Sequence, residues 1–353
     1  MTAPPLRVML CDDSSTVRAA LARVLEADTG IAIVARVADG AQALAALDAA
    51  PAGLRAQVIL LDLEMPVMDG MTALPLILRR EPRPIVIVAS ALTQRGASAT
   101  MDALRAGASD YIAKPSAVSG GLVAPAFQGE LLAKVKGWAK LRQASAALPL
   151  QPAPRIGRRP VAPKVVCVGS STGGPQALAA MVRRLPRRLP VPMLIVQHMP
   201  AGFTAMLAQH LTALGGPAVR EAREGDALEA GCIFLAPGDH HLIARAEAKG
   251  ITLHLSDAMP ENSCRPAVDP TLRSLVGIHG AAVHAVILTG MGQDGLAGCR
   301  AVARAGGAVW AQDEASSVVW GMPGAVTRAG LASGQGTPES LGDALAQLCG
   351  AGR

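Results

Sequence analysis

A run of small and hydroxyl residues between a predicted strand and a predicted helix is the first candidate for chemistry. The stretch VVCVGSSTGGPQALAA, residues 165–180, predicts a buried strand, a glycine-rich turn and a helix that opens at Pro175. Free N–H groups and the positive end of the helix dipole stabilise an anion at such a junction. The turn is consistent with two kinds of site. One is a phosphate cradle; in the other, Ser171 or its neighbour Ser170 is a nucleophile beside an oxyanion hole.

Two other side chains suited to acyl transfer follow predicted strands later in the chain. His198 comes directly after PMLIVQ, and Asp294 lies in the loop that follows AVILTG. A hydroxyl nucleophile, an imidazole base and a carboxylate that orients the base form a serine hydrolase triad, which is defined by geometry rather than by chain order. Ser171 lies deeper in the turn than Ser170, which favours it as the nucleophile. The surrounding GSSTG also matches the short GxSxG pattern of α/β-hydrolases.

Other histidines and carboxylates compete for the second and third positions of this triad. The chain has seven histidines, and His240 and His241, in a loop after a strand, are the rivals of His198. These three histidines also offer nitrogen ligands for zinc, although neither HExxH nor another metal-binding spacing accompanies them. Asp239 and Asp269 are the alternative orienting carboxylates.

The first third of the chain carries a different set of polar residues, again at the ends of predicted strands. Asp12 and Asp13 follow the first strand, Asp62 the third, Ser90 the fourth and Lys114 the fifth. The carboxyl ends of parallel strands meet at one edge of a sheet, so these side chains are expected to converge. Three carboxylates at one edge need a cation, and hard oxygen ligands suit Mg²⁺. Each residue taken singly also fits an ordinary role in a helix cap, a turn or the surface.

The hydrophobic pattern predicts the elements that position these residues. Five strand–helix repeats in the first third predict a parallel sheet covered on both faces, the doubly wound α/β class. Residues 144–163 are rich in Pro, Ala and Arg and are predicted to be an extended linker. Strands and helices then alternate again, which predicts a second parallel α/β domain, larger and less regular than the first.

Composition excludes several classes of protein. The length of 353 residues suits two domains, and an aromatic content of 2% argues against stacking platforms for single-stranded nucleic acid. No GK[ST] follows the glycine turn and no helix-turn-helix-sized output domain is present, so we expect no nucleic-acid partner. The six cysteines are scattered without a CxxC pair. No stretch reaches about eighteen apolar residues, and the chain starts almost directly with a strand; we expect a cytoplasmic protein without membrane insertion.

Residues 5 to 125, approximately, resemble a response-regulator receiver domain. The resemblance is carried by CDDS, LLDLEMPVMDG, VAS and AKP. It implies a flavodoxin-like (βα)5 fold in which a sensor histidine kinase phosphorylates Asp62. It further implies a Mg²⁺ site and a set of switch residues, namely Asp12, Asp13 and Asp62 for the metal and Ser90, Lys114 and Tyr111 for the switch.

Residues 164 to 345, approximately, resemble the catalytic domain of the chemotaxis response-regulator protein-glutamate methylesterases. The resemblance is carried by GSSTGG, QHMP with a following GF, LAPGDHH, RPAVD, ILTGMGQDG and EASSVVWGMP. It implies that Ser171 is the nucleophile, His198 the general base and Asp294 the orienting acid, with an oxyanion contact from the backbone N–H of Met291. The sequence departs from the family pattern at two positions outside the triad: Ser170, where Ala is common, and Gln293, where Asn is common.

The two resemblances together imply an esterase that phosphorylation activates. The expected reactions are hydrolysis of glutamate γ-methyl esters and deamidation of glutamine on methyl-accepting chemoreceptors, with Mg²⁺ in the receiver and no cofactor for the esterase. The expected domains are a receiver at 1–125, its last helix and the linker at 126–163, and the catalytic domain at 164–353. An unphosphorylated receiver is expected to cover the Ser171 cleft. The alternative is a response regulator whose output domain binds a nucleotide or nucleic acid through the glycine turn.

Overall fold

The computed structural model describes residues 4–91, 93–114, 124–145 and 161–350. The chain forms two compact units, residues 1–146 and residues 147–353. Most of the predicted linker, residues 146–160, lies outside the described residues. None of the helices in the described ranges combines the length and the apolar composition that crossing a membrane requires.

The first unit is built from alternating strands and helices, as its hydrophobic pattern predicts. The strands are parallel and lie in the order β2-β1-β3-β4-β5, so the predicted flavodoxin-like (βα)5 fold is confirmed. The elements in chain order are β1 (Leu6–Cys11), α1 (Ser15–Glu26), β2 (Ile31–Val37), α2 (Gly40–Ala49), β3 (Val58–Asp62), α3 (Gly70–Leu78), β4 (Ile85–Ala91), α4 (Gln94–Arg105), β5 (Asp110–Lys114) and α5 (Pro125–Ser145).

Local chemistry explains where the helices of this unit begin. The side chain of a short polar residue accepts a hydrogen bond from the first turn of each of helices α1 to α4, and the capping residues are Ser14, Asp39, Asp69 and Thr93. The strands between the helices are apolar; β3, VILLD, is buried along its whole length. Burial on both faces is the condition that a covered parallel sheet imposes.

The second unit is built around a seven-stranded parallel sheet, which confirms the predicted parallel α/β class. Its strand order is β15-β14-β13-β6-β7-β10-β8. The elements of this sheet and its helices are β6 (Val165–Ser170), α6 (Gly174–Val182), β7 (Met193–Gln197), α7 (Phe203–Thr212), β8 (Ala218–Glu221), β10 (Cys232–Leu235), α8 (Val268–His279), β13 (Val283–Ile287), α9 (Leu296–Arg304), β14 (Ala308–Gln312), α10 (Met322–Arg328), β15 (Gly334–Gly336) and α11 (Pro338–Leu348).

A small antiparallel sheet is inserted in the second unit. The alternating pattern of ITLHLS, residues 251–256, predicts a half-exposed strand, and a strand is found there, but the pattern does not predict its antiparallel partners. The small sheet consists of β9 (Asp226–Ala227), β11 (His241–Glu247) and β12 (Gly250–Ser256), in the order β11-β12-β9. Strand β10 ends at Leu235 and β11 begins at His241. Between them Pro237 has no N–H to donate and Asp239 has a φ of +67°, so the chain turns out of the parallel sheet.

Candidate active site

Three adjacent strands in the centre of the second sheet carry the residues predicted to form a triad. Strand β6 lies between β7 and β13, and the chain leaves it for β7 on one side and returns to β13 on the other. In open α/β sheets ligands bind at the carboxyl ends of strands beside such a change of direction. Ser171 directly follows β6, His198 directly follows β7, and Asp294 lies in the loop after β13. The topology therefore brings the three segments to one edge.

The two neighbouring serines of the glycine turn have different environments. Ser170, the last residue of β6, is fully buried, and its hydroxyl donates a hydrogen bond of 2.7 Å to Oε1 of Gln197. Ser171 is partly exposed, and its hydroxyl makes no hydrogen bond with any residue in the described ranges. A nucleophile must be reachable, and its hydroxyl must be free to donate to the base rather than to a structural partner, so the geometry favours Ser171 over Ser170.

The glycine turn is covered rather than open. A side chain on Gly173, which has a φ of +75°, would come within 2.5 Å of Val318. The N–H of Gly174 donates a 2.8 Å hydrogen bond to the carbonyl of Ser171. That N–H is therefore engaged within the turn. The result argues against the phosphate cradle, because such a cradle needs several free N–H groups around one open cavity.

The imidazole of His198 and the carboxylate of Asp294 form a close pair. Nε2 of His198 lies 2.7 Å from Oδ2 of Asp294, and the Asp294 side chain is almost fully buried. Backbone N–H groups at the start of α8 hold the same carboxylate, from Val268 at 2.6 Å and from Asp269 at 3.2 Å. Burial raises the pKa of Asp294, but the bonds from His198 and these N–H groups outweigh it and hold the pKa below its usual range. Asp294 is therefore ionised, and Nε2 of His198 carries a proton that it donates.

The other ring nitrogen of His198 faces a cysteine. Sγ of Cys264 lies 3.4 Å from Nδ1 of His198. No hydrogen bond joins the Ser171 hydroxyl to the imidazole in the described structure; catalytic bonds are often long before substrate binds. Burial lowers the pKa of His198, but its contacts with Asp294 and Cys264 raise it by more, to about 9.

Gln197, the last residue of β7, ties the serine turn to the histidine segment. Its Nε2 donates to the carbonyl of Ser171 at 2.9 Å and to the carbonyl of His198 at 3.1 Å. The N–H of His198 also donates to the carbonyl of Ser170 at 3.1 Å. Side chain and backbone bonds together fix the spacing of the two segments.

The loop after β13 approaches the serine turn closely at Gly290. A Cβ on Gly290 would lie 2.9 Å from Cβ of Ser171 and 2.3 Å from Sδ of Met322, so only glycine fits without a shift. The carbonyl of Gly290 accepts hydrogen bonds from the N–H groups of Gly321 and Met322, which fixes the loop. Met291 follows with a partly exposed side chain, and its N–H donates to no group among the described residues.

The rival residues have other partners. Nδ1 of the exposed His240 lies 2.6 Å from Oδ1 of Asp257. His241 is buried; its Nδ1 accepts from the N–H of Ala267 and its Nε2 contacts the carbonyl of Met259, each at 3.1 Å, so neither nitrogen is free for zinc.

The alternative carboxylates do not reach His198 either. Asp239 is exposed at the turn before β11. Asp269 is buried and accepts from the N–H of Gly298 at 2.6 Å and from Nδ2 of Asn262 at 3.1 Å. Burial and the nearby charge of Asp294 raise the pKa of Asp269, although the Gly298 bond opposes them.

In the first unit, the predicted acidic residues converge at the carboxyl ends of β1 and β3. One ligand atom from each of Asp12, Asp13 and Asp62 lies within 4.8 Å of the others. Nζ of Lys114 lies 2.7 Å from Oδ2 of Asp12 and 2.8 Å from Oδ2 of Asp62. Three carboxylates beside one ammonium leave an excess of negative charge, and oxygen donors of this kind suit a divalent cation such as Mg²⁺. Ser14 rather than Asp13 caps α1, which leaves the Asp13 carboxylate available.

The remaining predicted receiver residues lie at β4 and β5. Ser90 is buried, and its hydroxyl donates to the carbonyl of Gly96 in the first turn of α4 at 2.9 Å. Tyr111 is also buried, with Nζ of Lys134 over its ring at 4.6 Å from the centroid. Burial, and then the charges of Glu130 and Asp110, raise the pKa of the Tyr111 phenol well above its usual value.

Three residues of the site are missed by sequence reasoning. Gln197, Asn262 and Cys264 contact the predicted triad segments through tertiary structure, and none belongs to a pattern with a catalytic meaning of its own. The available signal is indirect. Asn262 belongs to the group of residues that tolerate a positive φ, and Gln197 occupies the last position of a buried strand, where a polar side chain needs a specific partner.

Known proteins resemble this chain in sequence and in structure. The family described as CheB methylesterase matches residues 166–345, and the family described as response regulator receiver domain matches residues 8–122. A protein-glutamate methylesterase/protein-glutamine glutaminase of Azospirillum brasilense is 46% identical over 354 residues, which cover 93% of this chain and 89% of the relative. A second such protein, from Caulobacter vibrioides, is 45% identical over 335 residues, covering 93% of this chain and 94% of the relative.

A solved structure extends the likeness to the fold of the second unit. The catalytic domain of the Thermotoga maritima CheB methylesterase is 40% identical and superposes with a TM-score of 0.52, covering 53% of this chain and 100% of that one. The matched family covers the whole central sheet with its serine, histidine and aspartate segments, and the relatives match both units. This chain therefore belongs to the CheB methylesterase family, with a response-regulator receiver domain before its catalytic domain.

Proposed function

We propose that the second unit hydrolyses glutamate γ-methyl esters on chemoreceptors, and deamidates glutamine there, through Ser171, His198 and Asp294. The observation that carries the proposal is the buried His198–Asp294 pair after β7 and β13, on either side of β6, the strand that directly precedes Ser171. The names of the relatives support the substrate class. We also propose a cytoplasmic location, where the substrate helices of chemoreceptors are expected to lie.

The geometry suggests how protons move in the first half of the reaction. The Ser171 hydroxyl attacks the γ-carbonyl carbon, and Nδ1 of His198 takes its proton, because Nε2 is engaged by Asp294. The ionised Asp294 stabilises the imidazolium that forms. The free N–H of Met291 is suited to donating to the oxyanion of the tetrahedral intermediate. The imidazolium returns the proton to the leaving oxygen, and methanol departs from an acyl-enzyme.

Water completes the cycle by the same route. His198 takes a proton from water, the hydroxide attacks the acyl-enzyme, and the proton passes to Ser171 as free glutamate is released. For a glutamine substrate, ammonia replaces methanol as the leaving group. The proposed esterase chemistry uses the three side chains, the backbone N–H of Met291 and water.

We further propose that phosphorylation of Asp62 by a sensor histidine kinase activates the esterase. Asp12, Asp13 and Asp62 would hold Mg²⁺, which neutralises phosphoryl oxygens during transfer. Phosphorylation adds about −1.5 to −2 charges, and Lys114 is placed to pair with them. Ser90 and Tyr111 would respond by changing their partners in α4 and α5. The unphosphorylated receiver would restrict access to Ser171.

Turnover of a methylated receptor tests the triad. The full-length Ser171→Ala variant should release no methanol above background while keeping its thermal unfolding transition. Ser170→Ala is the matched control: it removes the neighbouring hydroxyl and should retain turnover. Methanol release by Ser171→Ala at a rate near that of Ser170→Ala would eliminate the serine mechanism.

Two variants test the regulation. Asp62→Asn should abolish activation by a phosphodonor while leaving basal turnover, because the catalytic side chains belong to the other unit. Deleting residues 1–150 should raise basal turnover. Unchanged or lower turnover in a folded deletion variant would contradict control by restricted access.

A further inference from the structure

A tight turn at residues 261–264 lies against the catalytic pair. The backbones of Glu261 and Cys264 exchange two hydrogen bonds, of 3.2 and 2.9 Å. The central residues Asn262 and Ser263 have φ angles of +51° and +61°, as a type I′ turn requires. Such a turn has a narrowly defined backbone, so it directs the side chains on either side of it in fixed directions.

Two side chains of this turn contact the catalytic pair from opposite ends. Sγ of Cys264 lies 3.4 Å from Nδ1 of His198. Nδ2 of Asn262 lies 3.2 Å from Oδ1 of Asp294 and 3.1 Å from Oδ2 of Asp269. Asp294 in turn holds Nε2 of His198 at 2.7 Å, so the imidazole has a partner on each of its nitrogens.

We propose that Cys264 is a positioning residue for the esterase base, holding the Nδ1 edge of the His198 imidazole toward the Ser171 turn while Asp294 holds the Nε2 edge. The proposal rests on the proposed function, because it assigns Nδ1 as the atom that takes the serine proton. A ring held at Nε2 alone is free to swing about that bond. A second contact at Nδ1 fixes the plane of the ring as well as its position.

The proton balance at Nδ1 is simple. With a neutral ring, Nδ1 offers a lone pair and the Cys264 thiol donates its S–H to it. If the proton crosses to the ring, a thiolate and an imidazolium face each other with the same total number of protons. When substrate binds, the Ser171 hydroxyl replaces the thiol at Nδ1 and donates its own proton. Cys264 thus orients Nδ1 of His198 and takes no part in the reaction itself.

Few other ionisable groups act on the imidazole. In the described residues, Asp294 and Cys264 are the ionisable partners that face His198 directly. Asp269 and Arg273, both on α8, act on Asp294. Cys167 and Cys299, buried in β6 and α9, are also within electrostatic range of Asp294, and burial raises the pKa of both thiols, so they stay neutral.

The test compares three full-length variants. Cys264→Ala removes the contact, Cys264→Ser keeps a donor for Nδ1, and Cys349→Ala removes a half-buried thiol at the end of α11, away from the site. We expect Cys264→Ala to lower kcat about tenfold with little change in KM, part of the roughly 10²–10⁴-fold that a general base supplies. Cys264→Ser should recover most of the rate, and Cys349→Ala should match the parent protein.

Two further readouts separate positioning from a general loss of structure. In ¹⁵N-histidine-labelled protein, Cys264→Ala should move the Nδ1 resonance of His198, assigned with a His198→Gln variant. The acid limb of kcat/KM should also move to lower pH in both Cys264 variants, because the thiolate that can face the imidazolium raises the pKa of His198 and neither alanine nor serine can form one. A structural role would change neither readout. Melting curves show whether Cys264→Ala is folded; if it is not, Cys264→Ser carries the test, since its acid limb should move while its rate is retained.

The possible results are distinct. If Cys264→Ala leaves both the Nδ1 resonance and the pH profile unchanged, the positioning role is wrong. The kcat values are compared above about pH 9, where His198 is neutral in all the proteins. If Cys264→Ala is faster than the parent protein there, the thiol obstructs the base, which also overturns the proposal. Turnover by Ser171→Ala would instead remove the proposed function, whatever the cysteine variants do.

Discussion

Asp294 binds Nε2 of His198, not Nδ1, at 2.7 Å. The carboxylate is ionised and the ring proton lies on Nε2, so the lone pair of the neutral imidazole is on Nδ1. In the proposed mechanism, the tautomer that accepts the serine proton therefore depends on Asp294. It also depends on the start of α8, because the N–H groups of Val268 and Asp269 orient the carboxylate.

Asp294→Asn should nearly abolish turnover. The amide has no charge to stabilise the imidazolium, and the ring is no longer held in the tautomer with its lone pair on Nδ1, a change worth up to about 10⁴-fold in kcat in a serine hydrolase triad. Methanol release and the ¹⁵N resonances of His198 measure the two effects together. Asp269→Asn is the matched control, and a comparable loss in kcat for that variant would shift the orienting role to Asp269.

Esterase activity should increase with pH well into the alkaline range. The base must be neutral to accept a proton, and the contacts with Asp294 and Cys264 hold the pKa of His198 at about 9 despite the opposing effect of burial. The kcat/KM of the full-length protein should therefore rise through neutral pH and level off above about 9. A profile already flat at pH 7 would contradict this assignment.

The same titration should appear in stability. The folded-state pKa of His198 lies above its usual value of 6.5, so protonation favours the folded state. Its contribution is complete below pH 6.5 and is lost as the pH rises through about 9. Urea unfolding at several pH values, compared between the parent protein and His198→Gln, measures the difference. The difference in the free energy of unfolding between the two proteins should decrease from pH 6.5 to about 9. A difference that stays constant would show that His198 does not titrate in this range.

Gln197→Met should weaken both the fold and the reaction. Methionine keeps the length of the side chain but loses the bonds to the carbonyls of Ser171 and His198 and to the Ser170 hydroxyl. Each buried polar group left unpaired costs about 1–3 kcal/mol. The free energy of unfolding from urea titration and kcat should both fall. Ser170→Ala removes one of these bonds and should lose less unfolding free energy and less kcat than Gln197→Met. Equal kcat for Gln197→Met and the parent protein would show that Gln197 does not set the spacing of the Ser171 and His198 segments.

The sequence could predict which segments meet, because Ser171 and His198 directly follow strands, Asp294 lies in the loop after a third, and parallel strands end at one edge. Ser171, His198 and Asp294 were assigned to that edge from strand patterns alone. The sequence favours Ser171 over Ser170 through its place in the turn and the GxSxG pattern. The burial of Ser170 and its bond to Gln197 add evidence that no local pattern contains.

The remaining parts of the site depend on contacts between distant segments. Cys264 contacts His198 from a type I′ turn that lacks glycine, the usual sequence signal of such a turn. The antiparallel sheet of β9, β11 and β12 was missed for a similar reason: its start at His241 depends on the positive φ of Asp239, a residue that also adopts ordinary conformations. Hydrophobic periodicity reports burial of a strand but not the direction of its neighbours.

Asp62→Asn should stabilise the first unit when Mg²⁺ is absent. Burial raises the pKa of Asp62, and the pairing with Lys114 only partly offsets it, so the ionised carboxylate is unfavourable in the fold at neutral pH. The neutral amide removes that cost, and we expect a higher Tm for this unit by calorimetry. Mg²⁺ should reduce the difference in Tm between Asp62→Asn and the parent protein, because it stabilises the parent protein. Asp69→Asn is the control: Asp69 caps helix α3 by accepting a 2.7 Å hydrogen bond from the N–H of Thr72, and its variant should show no such gain in Tm. A lower Tm for Asp62→Asn would show that the Asp62 charge stabilises the fold.

Gly290→Ala should separate the oxyanion loop from the nucleophile. Met322 can move its flexible end away from the new methyl group, but Cβ of Ser171, 2.9 Å away, belongs to a turn that Gln197 holds in place. The loop that carries Met291 must therefore shift. A misplacement of about 1 Å at reacting groups costs up to about 10²-fold, so kcat should fall by that order while KM changes less.

Overpacking should also lower the free energy of unfolding of Gly290→Ala, by about 1–3 kcal/mol. Gly277→Ala in α8 is the matched control, because a Cβ there meets no atom within 4 Å and alanine favours a helix. It should keep kcat and gain slightly in stability. If Gly290→Ala retained the kcat of the Gly277→Ala control, the close approach of Gly290 to Ser171 would have no part in catalysis, and the N–H of Met291 would lose its support as the oxyanion donor.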